Sequence, residues 1–208
     1  MYGIFLCMVT SRAWAPRIYT LSGFVKEDIL EGAKALDFGC GNRKLPGAVG
    51  MDILKLPAVD VVQDVNQRPW PFADNTFDLV FGNHVLEHVD DILGTLGEIH
   101  RITKPGGRVV VQVPYFRCVD AFNDPTHEHF FATKTLDYCI EGTTLANYRY
   151  TDFLFKKVGF WYGWPHPSKN LFKRSIKSYI ESHSEFYDQY LSILIPAECL
   201  TWELEVIK

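Results

Sequence analysis

Residues 36–52 read LDFGCGNRKLPGAVGMD, and this stretch decides the fold. A short apolar strand ends in an acid, Asp37, and a tight turn containing Gly39 and Gly41 follows it. A second strand then ends in another acid, Asp52. Glycine has no Cβ, so the backbone of such a turn can pass close to a bound ligand. An acid at the end of the next strand can accept both hydroxyls of a ribose. The stretch therefore predicts an α/β sheet that binds a nucleoside-containing cofactor.

The spacing within this stretch disfavours a dinucleotide. A dinucleotide fingerprint has a third glycine where this chain has Lys44, and its ribose-binding acid lies roughly 20 residues further on. Here only about ten residues separate Gly41 from Asp52, too few for a crossover helix whose N-terminus would hold a pyrophosphate. Asp37 would repel a phosphate but suits a ligand that carries an amine and a sulfonium. S-adenosylmethionine is favoured, and a nicotinamide-dependent oxidoreductase is the less favoured alternative.

Further segments extend the pattern over roughly residues 34–136. In chain order after LDFGCG they are VGMDI (49–53), DVVQDV (60–65), PWPFADNTFDLV (69–80), NHVLEHV (83–89) and EIHRITKPGG (98–107). With these segments the chain resembles the class I S-adenosylmethionine-dependent methyltransferases, specifically the type 11 methyltransferase domain family. The resemblance implies an α/β, Rossmann-like methyltransferase fold with helices on both faces of the sheet. It also implies a mostly parallel sheet of about seven strands, of which the last is antiparallel.

Length and composition limit the other possibilities. With 208 residues, 47% of them apolar, we expect a single methyltransferase domain over 1–208. Its cofactor-binding core would span 34–113, and acceptor-side loops and C-terminal strands would span 114–208. The formal charge of −4 argues against nucleic-acid binding, which usually needs a basic patch.

The cysteines and the apolar segments predict a location. The chain has five cysteines without C-x-x-C spacing, which is typical of free thiols in a reducing compartment. No apolar stretch approaches the length of a membrane-spanning helix, so no membrane insertion is expected. The apolar segment Met1 to Val9 lacks a preceding positive charge and is expected to pack rather than to act as a signal peptide. The predicted location is the cytoplasm.

The hydrophobic pattern alternates between strands and helices, which is typical of a parallel α/β sheet. A helix is predicted from about Ile92 to His100, with Asp90 and Asp91 at its N-terminal end and Pro105 to Gly107 as its stop. Strands are predicted near 33–38, 48–52, 59–63, 77–82, 107–113 and 198–207, a helix followed by a strand in 151–164, and a helix within 165–189.

The first group of predicted cofactor contacts surrounds the glycine turn. Asp37 would hold the ammonium group of the cofactor, or alternatively would only cap the turn as a strand-end acid. Asp52 would accept the ribose hydroxyls, with Met51 and Ile53 on the two faces of the adenine. The turn itself, which would line the methionyl and ribose portion, is Gly39, Cys40 and Gly41.

The second group follows the next strands. Asp64 would accept from the adenine amino group while the Val65 amide donates to the ring, although turns also favour aspartate as a solvated acid. Asn83 would face the methionyl end of the cofactor, and His84 would cover it.

The acceptor is expected beside residues 115–131, a segment rich in aromatic residues and histidines. It follows a strand at the carboxyl edge, where open α/β sheets bind ligands. His127 is the leading general base because a neutral histidine can take a proton at cellular pH. Asp124 would orient its ring, and His129 and His84 are rivals. The predicted apolar walls are Tyr115, Phe116, Phe130 and Phe131.

Histidine pairs in two motifs invite a metal interpretation. His84 and His88 are four residues apart but do not form H-E-x-x-H, and His127 and His129 alternate on a loop. Spacing of this kind is more typical of structural or cofactor-facing histidines than of a zinc site, so no metal is predicted.

The expected activity is methyl transfer from S-adenosylmethionine to an oxygen or nitrogen of a small-molecule acceptor. The same cofactor motifs would suit a binding protein without transfer activity that acts as a partner or regulatory subunit. Nothing in the sequence identifies the acceptor.

Overall fold

The computed structural model describes residues 19–20, 23–24, 32–163 and 171–208. Near the N-terminus, β1 (Tyr19–Thr20) and β2 (Gly23–Phe24) pair antiparallel in a small sheet of their own. The segment Met1 to Val9, for which packing was predicted, lies outside the described residues.

The main sheet of the described residues has seven strands in the spatial order β5-β4-β3-β6-β7-β9-β8. All neighbouring pairs from β5 to β7 are parallel, whereas β9 runs antiparallel to both β7 and β8. This confirms the predicted fold class, including the antiparallel last strand. The strands are β3 (Ala35–Phe38), β4 (Val49–Asp52), β5 (Val61–Val62), β6 (Phe77–Asn83), β7 (Thr103–Pro114), β8 (Leu154–Tyr162) and β9 (Cys199–Ile207).

The central strands β3 and β6 are apolar nearly throughout because side chains from both of their faces are buried. Leu36 and Phe38 belong to the larger core cluster, and Ala35 belongs to a smaller one. The Phe38 ring crosses Gly82 on β6, where a Cβ atom would clash with it. This packing fixes the ends of β3 and β6 against each other, at the edge where the predicted cofactor residues lie.

Helix α1 (Ile92–Ile102) begins where the sequence predicts. Asp91 is its N-cap, and the Asp91 carboxylate accepts a hydrogen bond of 2.9 Å from the Gly94 amide. The helix ends at Ile102, which lies beyond the predicted His100 and before the predicted stop at Pro105 to Gly107, because Thr103 pairs with Phe77 and already belongs to β7. The sheet register then shifts between Phe77 and Leu79, so the segment from Pro105 to Gly107 lies within an irregular part of the strand.

The C-terminal part departs from prediction once. The helix expected at the start of 151–164 is wrong, since Leu154–Tyr162 is a single strand, β8, that pairs with β9. The helix predicted within 165–189 is confirmed as α3 (Leu171–Ser182), and residues 164–170 lie outside the described part. The described residues also form α2 (Asp120–Asn123), α4 (Ser184–Phe186) and a π-helical turn at Tyr187–Leu191. Short 3₁₀ turns lie at Leu86–His88, Asp137–Cys139 and Leu145–Tyr148. No helix in the described residues is long and apolar enough to cross a membrane.

Candidate active site

The parallel strands β3, β4 and β6 bring the predicted cofactor residues to one edge of the sheet. Asp37 precedes the last residue of β3, Asp52 ends β4 and Asn83 ends β6. Parallel strands place their carboxyl ends at the same edge, which is where open α/β sheets bind ligands. Three separate sequence motifs therefore contribute to one site.

The glycine turn has the geometry that the sequence predicts. Gly39 and Gly41 both have positive φ, at 65° and 52°, a region that favours glycine. A Cβ atom at Gly39 would clash with the Val85 side chain, whereas the space beside Gly41 is open. The Gly39 and Cys40 amides donate to the Met51 carbonyl at 2.7 and 3.2 Å. The turn is thus fixed on its inner side and open on the side where a ligand can approach.

The Asp52 carboxylate is held rigidly beside this turn. One of its oxygens accepts from the Gly41 amide and the other from the Leu54 amide, both at 2.9 Å. A carboxylate offers about four lone-pair positions, so each oxygen retains capacity for a ribose hydroxyl. The side chain is only 9% exposed, which leaves little freedom to turn away.

Asp37 has the capping role that the sequence left open, and its environment suits the other. Its carboxylate caps the turn by accepting a 2.6 Å hydrogen bond from the Leu45 amide. Asp37 is also 2% exposed, and this burial raises the pKa of the carboxyl to about 7, against the lowering effects of the Leu45 hydrogen bond and nearby Lys44. A buried carboxyl of this kind favours a cationic partner, because a positive charge stabilises its ionised form.

The adenine region needs one correction. Met51 is fully buried in the core, so its predicted contact with the adenine is wrong. Ile53, which is 60% exposed, and its neighbour Leu54 present apolar surface beyond the end of β4. Past β5, Asp64 accepts from the Asn66 amide at 2.9 Å, and the Val65 carbonyl accepts from the Trp70 indole at 3.1 Å. These bonds order the chain at the place where the adenine edge is predicted.

The turn residue Cys40 is buried beside both acids. Burial, and then the charges of Asp37 and Asp52, raise the pKa of its thiol to about 11. The thiol therefore stays protonated at neutral pH, and Cys40 contributes shape rather than charge to the turn.

Asn83 and His84 lie where β6 ends. The Asn83 side-chain oxygen is buried and has no hydrogen-bond partner within the described residues. An unpaired buried oxygen is costly, so this atom is suited to receive a ligand N–H. His84 has a positive φ of 55° and an exposed side chain, and its Nδ1 lies 3.1 Å from a carboxylate oxygen of Glu87.

The loop that carries His127 is docked on the segment after β6. The Glu128 amide donates to the Glu87 carbonyl at 2.8 Å, and the His129 Nε2 donates to the Val89 carbonyl at 2.7 Å. The predicted acceptor residues therefore lie next to the edge of the sheet that carries the cofactor residues.

The prediction that Asp124 orients the His127 ring is wrong. Asp124 instead accepts from the amide and the hydroxyl of Thr126, at 2.9 and 2.7 Å. Aspartate readily bonds the backbone two residues further on, and this local turn captures the carboxylate. The His127 Nδ1 donates to the Ala121 carbonyl at 2.9 Å, so a backbone oxygen orients the ring.

The aromatic residues of this segment fall into two groups. Tyr115 and Phe131 are fully buried and belong to the core, so they are not pocket walls as predicted. Phe116 is half-buried. Phe130 is 48% exposed and stacks on Phe122 with ring centroids 4.7 Å apart. Exposed aromatic surface therefore lies on the loop itself.

One organising residue was not found from the sequence. Asp188 accepts hydrogen bonds from the hydroxyls of Tyr115 and Tyr162, both at 2.8 Å, and from the Thr133 amide at 3.1 Å. Burial raises the pKa of both tyrosines, which remain protonated donors. Asp188 thereby ties the C-terminal helical segment to the loop region. It stands in a polar stretch without any motif that could have indicated this role.

A family model described as a methyltransferase domain matches residues 10–153. The chain belongs to this methyltransferase domain family. S-adenosylmethionine is the cofactor that this membership implies, as the sequence predicted, and the glycine turn with its flanking acids suits it. The predicted methyltransferase class is thereby confirmed.

Curated relatives match a shorter part of this methyltransferase. Demethylmenaquinone methyltransferases from Bacillus mycoides and Bacillus cereus are 33% identical over 108 residues, which are 40% of this chain and 45% of each relative. The chain thus spans about half the length of the curated relatives it matches.

Solved structures confirm the fold. An S-adenosylmethionine-dependent methyltransferase from Archaeoglobus fulgidus superimposes with a TM-score of 0.53 at 17% identity, covering 86% of this chain and 88% of that one. One from Mesorhizobium loti gives a TM-score of 0.52 at 13% identity, covering 86% and 96%. At these identities the likeness concerns the architecture, which is the Rossmann-like methyltransferase fold.

Proposed function

We propose that this methyltransferase transfers the methyl group of S-adenosylmethionine to an oxygen or nitrogen of a small-molecule acceptor. The observation that carries the proposal is the docking of the 124–129 loop on Glu87 and Val89, directly after Asn83. This contact supports the proposal because it joins a histidine-bearing loop to the segment that follows Asn83. The residues 34–113 would then form the cofactor core and 114–208 the acceptor side.

The acceptor class has support from the relatives. They are named for a small-molecule acceptor, demethylmenaquinone, although the match covers 40% of this chain. The exposed Phe122–Phe130 stack offers an apolar surface for a small acceptor at the same loop. The cytoplasmic location stays a prediction from the cysteine usage.

The chain's own residues bind, orient and deprotonate in this proposal. The bound cofactor supplies a methyl group on a sulfonium, whose charge is lost on transfer. Asp52 holds the ribose hydroxyls, Asp37 holds the ammonium group and the Asn83 oxygen accepts from the methionyl end. Alignment of this kind supplies much of the rate of an in-line displacement.

His127 is the proposed base. Its Nδ1 proton is committed to the Ala121 carbonyl, so Nε2 carries the lone pair that can take a proton from the acceptor. His129 is a weaker candidate because its Nε2 is already bonded to the Val89 carbonyl. His84 is exposed and remains a rival.

The test is turnover with methyl-labelled S-adenosylmethionine and a panel of hydroxyl- and amine-bearing metabolites. We expect acceptor-dependent release of S-adenosylhomocysteine and a product with the label on oxygen or nitrogen, identified by mass spectrometry. A label on carbon would contradict the proposed chemistry. Tight binding of S-adenosylhomocysteine without turnover across the panel would favour the alternative, a partner or regulatory subunit that binds the cofactor only.

The raised pKa of Asp37 predicts a pH dependence of cofactor binding. Below about pH 7 the buried carboxyl is protonated and cannot pair with the ligand's ammonium group. The affinity for S-adenosylhomocysteine should therefore fall by ~10-fold from pH 8 to pH 6, following the ionised fraction of a group with this pKa. Calorimetry at both pH values measures the change.

An Asp37→Asn variant is the matched control for this dependence. Its amide oxygen can still accept from Leu45, so the turn is kept while the titrating charge is removed. We expect weaker binding at pH 8 and a nearly flat affinity between pH 6 and 8. If the affinity of the variant changed with pH as much as that of the wild type, the pH dependence would belong to another group.

A further inference from the structure

Three side chains of metal-ligating type converge from two separate motifs. Glu87 and His88 lie on a 3₁₀ turn, Leu86–His88, shortly after β6, and His127 lies on the docked loop. One ligand atom from each of the three lies within 4.8 Å of the other two. The spacing of residues within either motif does not indicate this group of three, because the two motifs meet only in the folded chain.

Both imidazole rings are oriented by hydrogen bonds at Nδ1. The His127 Nδ1 donates to the Ala121 carbonyl at 2.9 Å. The His88 Nδ1 lies 2.9 Å from the Thr126 hydroxyl oxygen and 3.3 Å from the Thr126 carbonyl. Because the Thr126 hydroxyl donates its own proton to Asp124, its oxygen accepts from His88. Both Nε2 atoms are therefore left with a lone pair, the state in which metal-ligating histidines are held by a second hydrogen bond.

Glu87 supplies an independent indication. Its side chain is 0% exposed, and one carboxylate oxygen lies 3.1 Å from the His84 Nδ1. The other oxygen, Oε2, is buried and has no hydrogen-bond partner within the described residues. A buried carboxylate oxygen without a partner is unfavourable, and a cation beside it would compensate. The Glu87 carbonyl also accepts the Glu128 amide, so the loop with His127 is fixed against this residue.

We propose that Glu87, His88 and His127 bind one divalent transition-metal ion of the Zn²⁺ type. Two imidazoles and one carboxylate are a donor set that suits such ions, whereas Mg²⁺ and Ca²⁺ prefer oxygen ligands throughout. Three protein ligands leave a fourth position open, as in catalytic zinc sites. Bonds of about 2.0–2.1 Å to a tetrahedral zinc ion require ligand atoms that lie roughly 3.4 Å apart. The three ligand atoms now lie within 4.8 Å of one another, so small side-chain rotations can bring them to that distance.

A catalytic role of this ion rests on the proposed function, whereas binding of the ion to the three side chains does not. The proposed site includes His127, which lies on the loop of the proposed acceptor site. An acceptor hydroxyl bound at the open position would ionise more readily, its proton passing to water. Its oxygen would then form the bond to the methyl carbon as the bond from that carbon to the cofactor's sulfur breaks, which releases S-adenosylhomocysteine. In the metal-loaded protein His127 is a ligand, because the same Nε2 lone pair cannot also take the acceptor's proton.

The test uses the untagged, chelator-treated chain of 208 residues, titrated with Zn²⁺ by calorimetry and with Co²⁺ by absorption spectroscopy. We expect one equivalent of each ion to bind and Mg²⁺ not to compete. His88→Ala and His127→Ala should each weaken binding by at least ~10-fold, because the loss of an outer-shell partner of a ligand already costs that much. His183→Ala, at an exposed histidine on the C-terminal helical segment, is the matched control and should bind as the wild type does.

Three results would overturn the metal site. The first is the absence of stoichiometric binding to the wild type, and the second is undiminished binding to both histidine variants. The third is a cobalt–thiolate charge-transfer band, which would place the ion on cysteines. The affinity for S-adenosylhomocysteine is measured in the same samples. If the wild type binds S-adenosylhomocysteine but no metal, the metal site alone is rejected. If the wild type does not bind S-adenosylhomocysteine, the proposed function is rejected. Thermal unfolding of each variant shows that it is folded.

Discussion

Replacing His127 with alanine is expected to lower turnover by ~10²-fold or more, the usual contribution of a positioned acid or base. Its Nε2 is the free nitrogen of a ring fixed by the Ala121 carbonyl, and both proposed roles, base and metal ligand, need that lone pair. The affinity for S-adenosylhomocysteine should stay within about twofold, since we propose that the ring contacts the acceptor and not the cofactor. Steady-state kinetics with a cognate acceptor and calorimetry measure the two effects.

Asp124→Asn is the informative comparison for this variant. Asp124 bonds Thr126 rather than the His127 ring, so we expect a loss of turnover well below that of His127→Ala. Addition of Zn²⁺ to chelator-treated wild type separates the two roles of His127, because only a ligand role makes turnover depend on the ion. Full turnover in His127→Ala would reject His127 as the base and would reject a catalytic use of the ion, and it would favour His84 or alignment alone.

Replacing Asp52 with alanine is expected to weaken S-adenosylhomocysteine binding by about 1.5–3 kcal/mol, or ~10- to 150-fold, the scale of hydrogen bonds to a charged group. The loss has two parts. The ribose hydroxyls lose their acceptor, and the Gly41 and Leu54 amides lose the carboxylate that orders the turn. Calorimetry gives the affinity directly.

Two further variants control for charge and for turn structure. Asp52→Asn retains one side-chain oxygen and should lose less affinity than the alanine variant. Asp74→Ala removes an exposed acid that pairs with Arg101 and should leave the affinity unchanged, because exposed ion pairs contribute little. Equal affinities of wild type and a folded Asp52→Ala variant would show that the ribose is bound elsewhere.

The first strands and the glycine turn could be predicted from the sequence because their signals are local. A strand with Asp37 or Asp52 at or next to its end needs only a short apolar run, an acid and a turn, and the glycines at 39 and 41 mark that turn directly. The N-cap at Asp91 is local in the same way. Where sequence pattern and backbone geometry are set within a few residues, the prediction holds.

The failures have a common physical cause in tertiary contacts. The stretch 154–162 becomes a strand because β9 pairs along its whole length, and that partner lies some 40 residues further on in the chain. Met51 looked accessible beside Asp52, yet successive strand residues point to opposite faces, and the Met51 side chain points into the core. Likewise, the group of Glu87, His88 and His127 exists only because the loop folds back onto the segment after β6.

A crystal structure of the chain with S-adenosylhomocysteine would locate the cofactor directly. We expect the ribose hydroxyls at the Asp52 carboxylate, the ammonium group at Asp37 and the ligand's sulfur facing the loop that carries His127. Soaking ligand-free crystals with NAD should give no occupancy at this edge. A ligand bound elsewhere, or a sulfur that faces away from residues 124–129, would show that the proposed site is wrong.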